Sequence, residues 1–134
     1  MKTAFIGVLI SVFALTACAQ SDATNDQTET TTVEASKEVK RVTKSEFKTF
    51  LAEHENVQLI DVRTADEFQA GAIDAASNID YNDPKFEANI NTLDKDVPVL
   101  IYCRSGGRSA KALKIFEENG FTHVLELEGG YLNW

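Results

Sequence analysis

Cys103 ends an apolar run, Val97-Pro98-Val99-Leu100-Ile101-Tyr102, and opens a short loop, Arg104-Ser105-Gly106-Gly107-Arg108, after which a helical pattern begins. A strand ending in cysteine, a glycine pair between arginines and a helix start together describe a thiol delivered into an anion cradle. The run is rich in Val and Ile, as a buried parallel strand is. Gly106 and Gly107 can take positive φ, so the loop can curl with its N–H groups turned inward. Ser109 to Phe116 carries apolar residues at helical spacing, which places the cradle at a helix N-terminus. Donors, dipole and two guanidinium groups all favour a negative charge on or beside the Cys103 sulfur. A free thiol with a pKa of about 8.5 is mostly protonated at neutral pH, and such surroundings lower it to roughly 3.5–7.5. The chemistry expected here is nucleophilic attack by a thiolate, since an inert core cysteine needs neither the arginines nor the glycine pair.

The start of the chain has a different purpose. Met1-Lys2 supplies a minimal positive region, Phe5 to Phe13 an apolar region, and Leu15-Thr16-Ala17-Cys18 a small-residue cleavage site ending in cysteine. The apolar stretch is too short to span a bilayer as a stable helix. The Leu15 to Cys18 block resembles the lipobox of bacterial lipoproteins, in which the cysteine is lipidated and becomes the mature N-terminus. On that resemblance residues 1–17 are a lipoprotein signal peptide, Cys18 carries the acyl chains, and Cys103 is the remaining thiol. The implied location is the cell envelope, with a membrane attachment through the N-terminal lipid anchor. In a Gram-negative host Ala19 after Cys18 implies the outer membrane, facing the periplasm; in a Gram-positive host, the outer face of the single membrane. Residues 18–38 are rich in Thr, Asp, Glu, Gln, Ser and Ala and cannot bury enough apolar surface to offset their ordering entropy. They read as a flexible tether.

Residues 39–134 form one small domain with enough apolar side chains for a single core. The net charge of −8 and the scattered basic residues exclude a nucleic-acid partner. Thr43-Lys44-Ser45-Glu46 and Thr64-Ala65-Asp66-Glu67 have the spacing of capping boxes, predicting helices through Phe47, Phe50 and Leu51 and through Phe68. Val57 to Val62 and Val97 to Cys103 read as strands, and His123 to Glu128 as another, alternating in character and so nearer an edge. Pro84 predicts a helix start leading through Phe86, Ile90 and Leu93, and Gly120 a helix stop. Alternating strands and helices imply an α/β fold, a mostly parallel central sheet with helices on both faces and reactive loops at the carboxyl ends of the strands. The Cys103 loop lies at such an end.

These residues resemble the rhodanese (thiosulfate sulfurtransferase) family in its single-domain form. Leu59-Ile60-Asp61-Val62-Arg63-Thr64-Ala65-Asp66-Glu67-Phe68 looks like the family's Asp-Val-Arg signature followed by an acidic helix. Gly71-Ala72-Ile73-Asp74-Ala75-Ala76-Ser77-Asn78-Ile79 is similar to its Gly-His-Ile-x-Gly-Ala-x-Asn-Ile block, and Leu127 to Trp134 to its closing Gly-Gly…Trp segment. The resemblance implies that Cys103 carries persulfide sulfur and that Arg104, Ser105, Gly106, Gly107 and Arg108 form the substrate-binding loop. Arg104 and Arg108 suit an anionic donor, because guanidinium matches oxyanions geometrically. Asp61 and Arg63 are implied as a structural pair near the site. Ala72 stands where the family commonly has histidine and Ala75 where it often has glycine, and Trp134 comes where many relatives continue, which implies a more open rim.

The implied function is a sulfurtransferase of the rhodanese type, moving sulfane sulfur from thiosulfate or a similar donor to a thiol, a protein or cyanide. No metal or organic cofactor is expected, since Cys103 and the two isolated histidines, His54 and His123, offer no ligand set. The partners are a small anionic sulfur donor and a thiol or protein acceptor, and the domain is expected as a monomer. Phosphatase or arsenate reductase chemistry is a rival, but those loops place arginine six positions after the cysteine, where this chain has Ser109. A non-turnover persulfide carrier or a protein-binding module is the alternative from another class.

Overall fold

A computed structural model of the protein describes residues 36–134. Residues 1–35, with Cys18 and nearly all of the expected tether, lie outside the described residues. The sheet contains β1 (Glu38–Val42), β2 (Gln58–Asp61), β3 (Ser77–Asn78), β4 (Val99–Tyr102) and β5 (His123–Leu127). All neighbours are parallel, in the order β1-β5-β4-β2-β3. The helices are α1 (Lys44–Glu53), α2 (Ala65–Gln69), α3 (Phe86–Ile90) and α4 (Gly107–Glu118), and a 3₁₀ turn spans Gly130–Asn133.

The sheet divides two apolar layers. Ile60, Val62, Val99, Ile101, Cys103 and Val124 face α3 and α4, where Phe86, Ile90, Ala112 and Phe116 cover them. Leu59, Leu100, Tyr102, Leu125 and Leu127 face the other way, against Phe47 of α1 and the flanking Trp134. This is why β4 reads as an unbroken apolar run: its four residues are buried on alternate faces of a doubly covered sheet. Phe47 and Phe116 are wholly buried, each stabilising the fold by about 1.5–3 kcal/mol.

Both capping boxes form. Thr43 and Thr64 accept from the Glu46 and Glu67 backbone N–H groups at 3.3 Å, and the two glutamates return bonds to the cap N–H groups at 2.8 and 3.1 Å. Gly120 takes a φ of +85°, and the bonds Gly120 N–H to Glu117 O (3.1 Å) and Phe121 N–H to Phe116 O (3.1 Å) close α4 as a Schellman motif.

Three elements differ from expectation. β5 is not at an edge: it lies between β1 and β4, and its alternation comes from one buried acid, Glu126, among apolar neighbours. The edge beside it is β1, which has no counterpart in the sequence reading and begins at Glu38, inside the stretch assigned to the tether. The helix after Pro84 is only Phe86–Ile90, because Asp80 and Asp83 side chains accept from the N–H groups of Asn82 and Lys85 at 2.8 Å and hold residues 80–85 in turns. Leu93 still packs against the core from the turn that follows.

Candidate active site

Cys103 is the first residue past β4, so a strand fixed on both faces sets its position. Its side chain is only 1% exposed, under the loop that it opens. The chain reverses at Gly106, which has a φ of +92° and serves as the N-cap of α4. A side chain there would be strained by that φ and would crowd the Gly129 nitrogen at 3.3 Å. Gly107, in contrast, is already helical, and the positive φ that its type permits is not used.

This turn points donors at the sulfur. The Gly106 N–H reaches Sγ at 3.1 Å, and the Ser109 hydroxyl lies 3.3 Å from it. Burial pushes the thiol pKa up; the Ser109 hydroxyl and the backbone N–H groups of Ser109, Ser105 and Gly106 outweigh it and hold the thiol below its ordinary value. The structure therefore builds a thiolate site from the Ser109 hydroxyl together with the backbone amides of the loop.

The two loop arginines part company. Arg104 and Ser105 are exposed at the mouth of the loop. Arg108 instead forks onto Glu67 of α2, with Nη1 to Oε2 at 2.6 Å and Nη2 to Oε1 at 2.8 Å. Its charge still acts on Cys103, but its donors are engaged, which leaves Arg104 as the exposed guanidinium of the loop. The Arg108 guanidinium, with help from Thr64, lowers the Glu67 carboxyl to about 2 from an ordinary 4.5. A depressed folded value means that the unfolded chain takes up the proton first, so the pair stabilises fully above pH 4.5 and the gain is lost as pH falls towards 2. Both side chains are about a quarter exposed, so the net worth is about 0.5–1 kcal/mol. Thermal melts between pH 5 and pH 2 should show this loss in the native chain and a smaller one in Glu67→Gln.

Asp61 and Arg63 form a buried pair on the β2 side of the site. Arg63 Nε lies 3.0 and 2.9 Å from the two carboxylate oxygens, Nη2 lies 2.6 Å from Oδ2, and Nη2 also donates to the Gly71 carbonyl at 2.7 Å. The guanidinium sits 4.3 Å from the Tyr131 ring centroid, so it ties β2 to the chain's closing segment. That segment in turn clasps the loop: Tyr131 N–H donates to the Cys103 carbonyl at 2.7 Å and Leu132 N–H to the Arg104 carbonyl at 2.9 Å. His54 stacks on Phe50 and His123 lies beside Glu38, so neither histidine is part of the loop's bonding.

A groove of about 680 Å³ opens elsewhere, between α1 and two further stretches, one holding Ala72 and Ala75 and the other Tyr131 and Trp134. It contains no residue of the Cys103 loop. Sequence reasoning missed two neighbours of the loop, Glu126 on β5 and Arg41 on β1, which pair at 2.5 Å beneath it. The one available signal was an acid inside an otherwise apolar strand.

A cysteine after a central parallel strand, amides converging on its sulfur and a Gly-Gly closing segment agree with the family comparison. The model for the rhodanese-like domain matches residues 43–134. The chain belongs to the rhodanese-like family. Among curated relatives, an uncharacterized protein of Bacillus subtilis, YqhL, is 38% identical over 96 residues, 72% of each chain. A sulfurtransferase of Allochromatium vinosum is 37% identical over 84 residues, covering 63% of this chain and 77% of that protein. Among solved structures, a rhodanese-like domain protein from Staphylococcus aureus superposes with a TM-score of 0.63 at 36% identity, over 71% of this chain and 90% of that one. The all-parallel five-stranded sheet is thus a rhodanese-like α/β fold, and the family includes proteins named as sulfurtransferases.

Proposed function

We propose that this rhodanese-like protein is a sulfurtransferase that passes sulfane sulfur from thiosulfate or a similar anionic donor to a thiol, a protein or cyanide through a Cys103 persulfide. The observation that carries the reading is the convergence of backbone amides and the Ser109 hydroxyl on a buried sulfur. The Cys103 thiolate attacks the outer sulfur of thiosulfate along the S–S axis; a Cys103–S–S⁻ bond forms and the departing sulfite takes the electron pair of the broken bond. The total charge of three negatives is unchanged: one moves from thiolate to persulfide and two leave with sulfite. The terminal persulfide sulfur inherits the stabilisation by loop amides. An acceptor thiolate or cyanide then removes that sulfur and restores the Cys103 thiolate. Arg104 meets the sulfonate end of the donor at the mouth, while Arg108, held by Glu67, adds field rather than contact.

The Leu15 to Cys18 block supports a lipoprotein reading for the full chain, with the domain attached to a cell-envelope membrane through Cys18 and a monomeric rhodanese-like domain beyond the tether. Acceptors there would be thiols or partner proteins.

The test is mass measurement after thiosulfate and persulfide trapping, read on the tryptic peptide Asp96–Arg104, followed by cyanide with thiocyanate counted. A gain of one sulfur atom on that peptide, with many thiocyanates formed per chain, is the expected result. One loading without turnover would replace the enzyme by a partner-served carrier, and no loading of reduced protein would remove both.

A further inference from the structure

Beneath the loop, on the sheet face that carries Cys103, three side chains make a chain of bonds. Glu126 is wholly buried; its Oε1 accepts the Ser109 hydroxyl at 2.5 Å and its Oε2 accepts Arg41 Nε at 2.5 Å. Arg41 also donates through Nη2 to the Gly106 carbonyl at 3.0 Å, so the same arginine touches both the acid and the turn of the loop. Ser109 Oγ stands 3.3 Å from the Cys103 sulfur. A hydroxyl has a single hydrogen, and here two acceptors compete for it. The carboxylate is the nearer, and hydrogen bonds to it are short and charge-assisted. Burying a carboxylate is costly unless it is paired and bonded, and packing alone would be served by an apolar residue in β5.

The geometry points to Glu126 as a positioning residue for the Cys103 thiolate, acting through the Ser109 hydroxyl with Arg41 as its counter-ion. This role rests on Cys103 being the nucleophile. The Ser109 hydrogen is shared between the Glu126 carboxylate at 2.5 Å and the sulfur at 3.3 Å, so Glu126 limits how much of that bond the sulfur receives. A sulfur stabilised less is more basic and attacks faster once ionised, because nucleophilicity falls as thiol pKa falls. The amides thus make the thiolate accessible, and Glu126 prevents its over-stabilisation. Other charges facing the site are Arg104 at the loop mouth, Arg41 from β1 and Arg108 from α4, with Glu128 beyond Arg41 and Glu67 and Asp80 beyond Arg108.

Glu126→Gln preserves volume and lets the amide donate to Ser109 Oγ, turning the hydroxyl hydrogen towards sulfur. The experiment is the pH profile of Cys103 alkylation by iodoacetamide in the full chain, read on the Asp96–Arg104 peptide. In Glu126→Gln the midpoint should fall by about one unit, a tenfold change in acid constant, and the limiting rate at high pH by roughly threefold. In a Ser109→Ala background the same change should move the midpoint by less than about 0.3 unit. An unmoved or raised midpoint, or a full shift without Ser109, overturns the role. If the Gln variant does not fold, the wild-type Glu126 carboxyl ¹³C resonance decides: it should step at the pH where Cys103 ionises, and a flat signal there overturns the role. Alkylation needs no sulfur donor, so failure to turn over thiosulfate is read separately from failure here.

Discussion

Cys103→Ser should lose sulfur loading and turnover together, by roughly 10⁴-fold or more, while keeping the native fold. The replaced side chain is almost wholly buried and sits among donors that a hydroxyl oxygen also satisfies. The cost in stability is therefore about 1–2 kcal/mol, a shift that thermal unfolding resolves from collapse. Chemistry is affected differently. An alcohol does not ionise near neutral pH even with amides aimed at it, and oxygen cannot hold the transferred sulfur as a persulfide. Thiocyanate production from thiosulfate and cyanide is the measure. Activity within tenfold of wild type in a folded Ser variant would show that another group carries the sulfur.

Gly130→Ala should be the most damaging small substitution outside the loop. Gly130 has a φ of +60°, and an added Cβ would collide with the Cys103 carbonyl oxygen and lie 2.8 Å from the Arg104 carbonyl carbon. Those neighbours are backbone, which cannot swing aside. Relief requires the Gly130–Asn133 turn to lift, breaking the bonds from Tyr131 to the Cys103 carbonyl and from Leu132 to the Arg104 carbonyl. Overpacking plus two lost backbone bonds should cost about 3 kcal/mol and lower Tm by roughly 10–20 °C. Gly129→Ala supplies the contrast: it carries the same positive-φ strain (φ of +74°), but its added Cβ only touches the Asn133 Cβ at 3.0 Å and meets no backbone of the Cys103 loop. Equal damage at the two positions in thermal unfolding would refute the backbone-collision account.

What could be read from the chain depended on how local the signal was. The Cys103 loop stood out because strand end, glycine and helix start are contiguous, and the capping boxes because four residues suffice to define each. β1 was hidden, since Glu38, Lys40 and Arg41 give it the composition of the segment before it; its pairing with β5 supplies what its own residues lack. The Arg41–Glu126 pair joins positions 85 apart in sequence, beyond any spacing argument. Glu126 itself was visible, but an acid in a strand reads as solvent-facing until the partner strand and the loop above it are known. The fit of guanidinium to oxyanions points Arg108 at an anionic donor, whereas its partner Glu67 comes from a helix 41 residues earlier, which no local spacing reveals.

Because every strand runs the same way, the sheet has a reactive pole and a quiet one. The loop closes over the first, where Arg41, near the end of β1, meets Gly106. The polypeptide enters at the second, where Glu38 N–H joins the Thr122 carbonyl at 2.7 Å, and the five residues of β1 separate the poles by roughly 16 Å. A pull applied at Glu38 therefore acts on the end of the sheet remote from the Cys103 loop, about 16 Å of strand away from the Arg41–Gly106 contact.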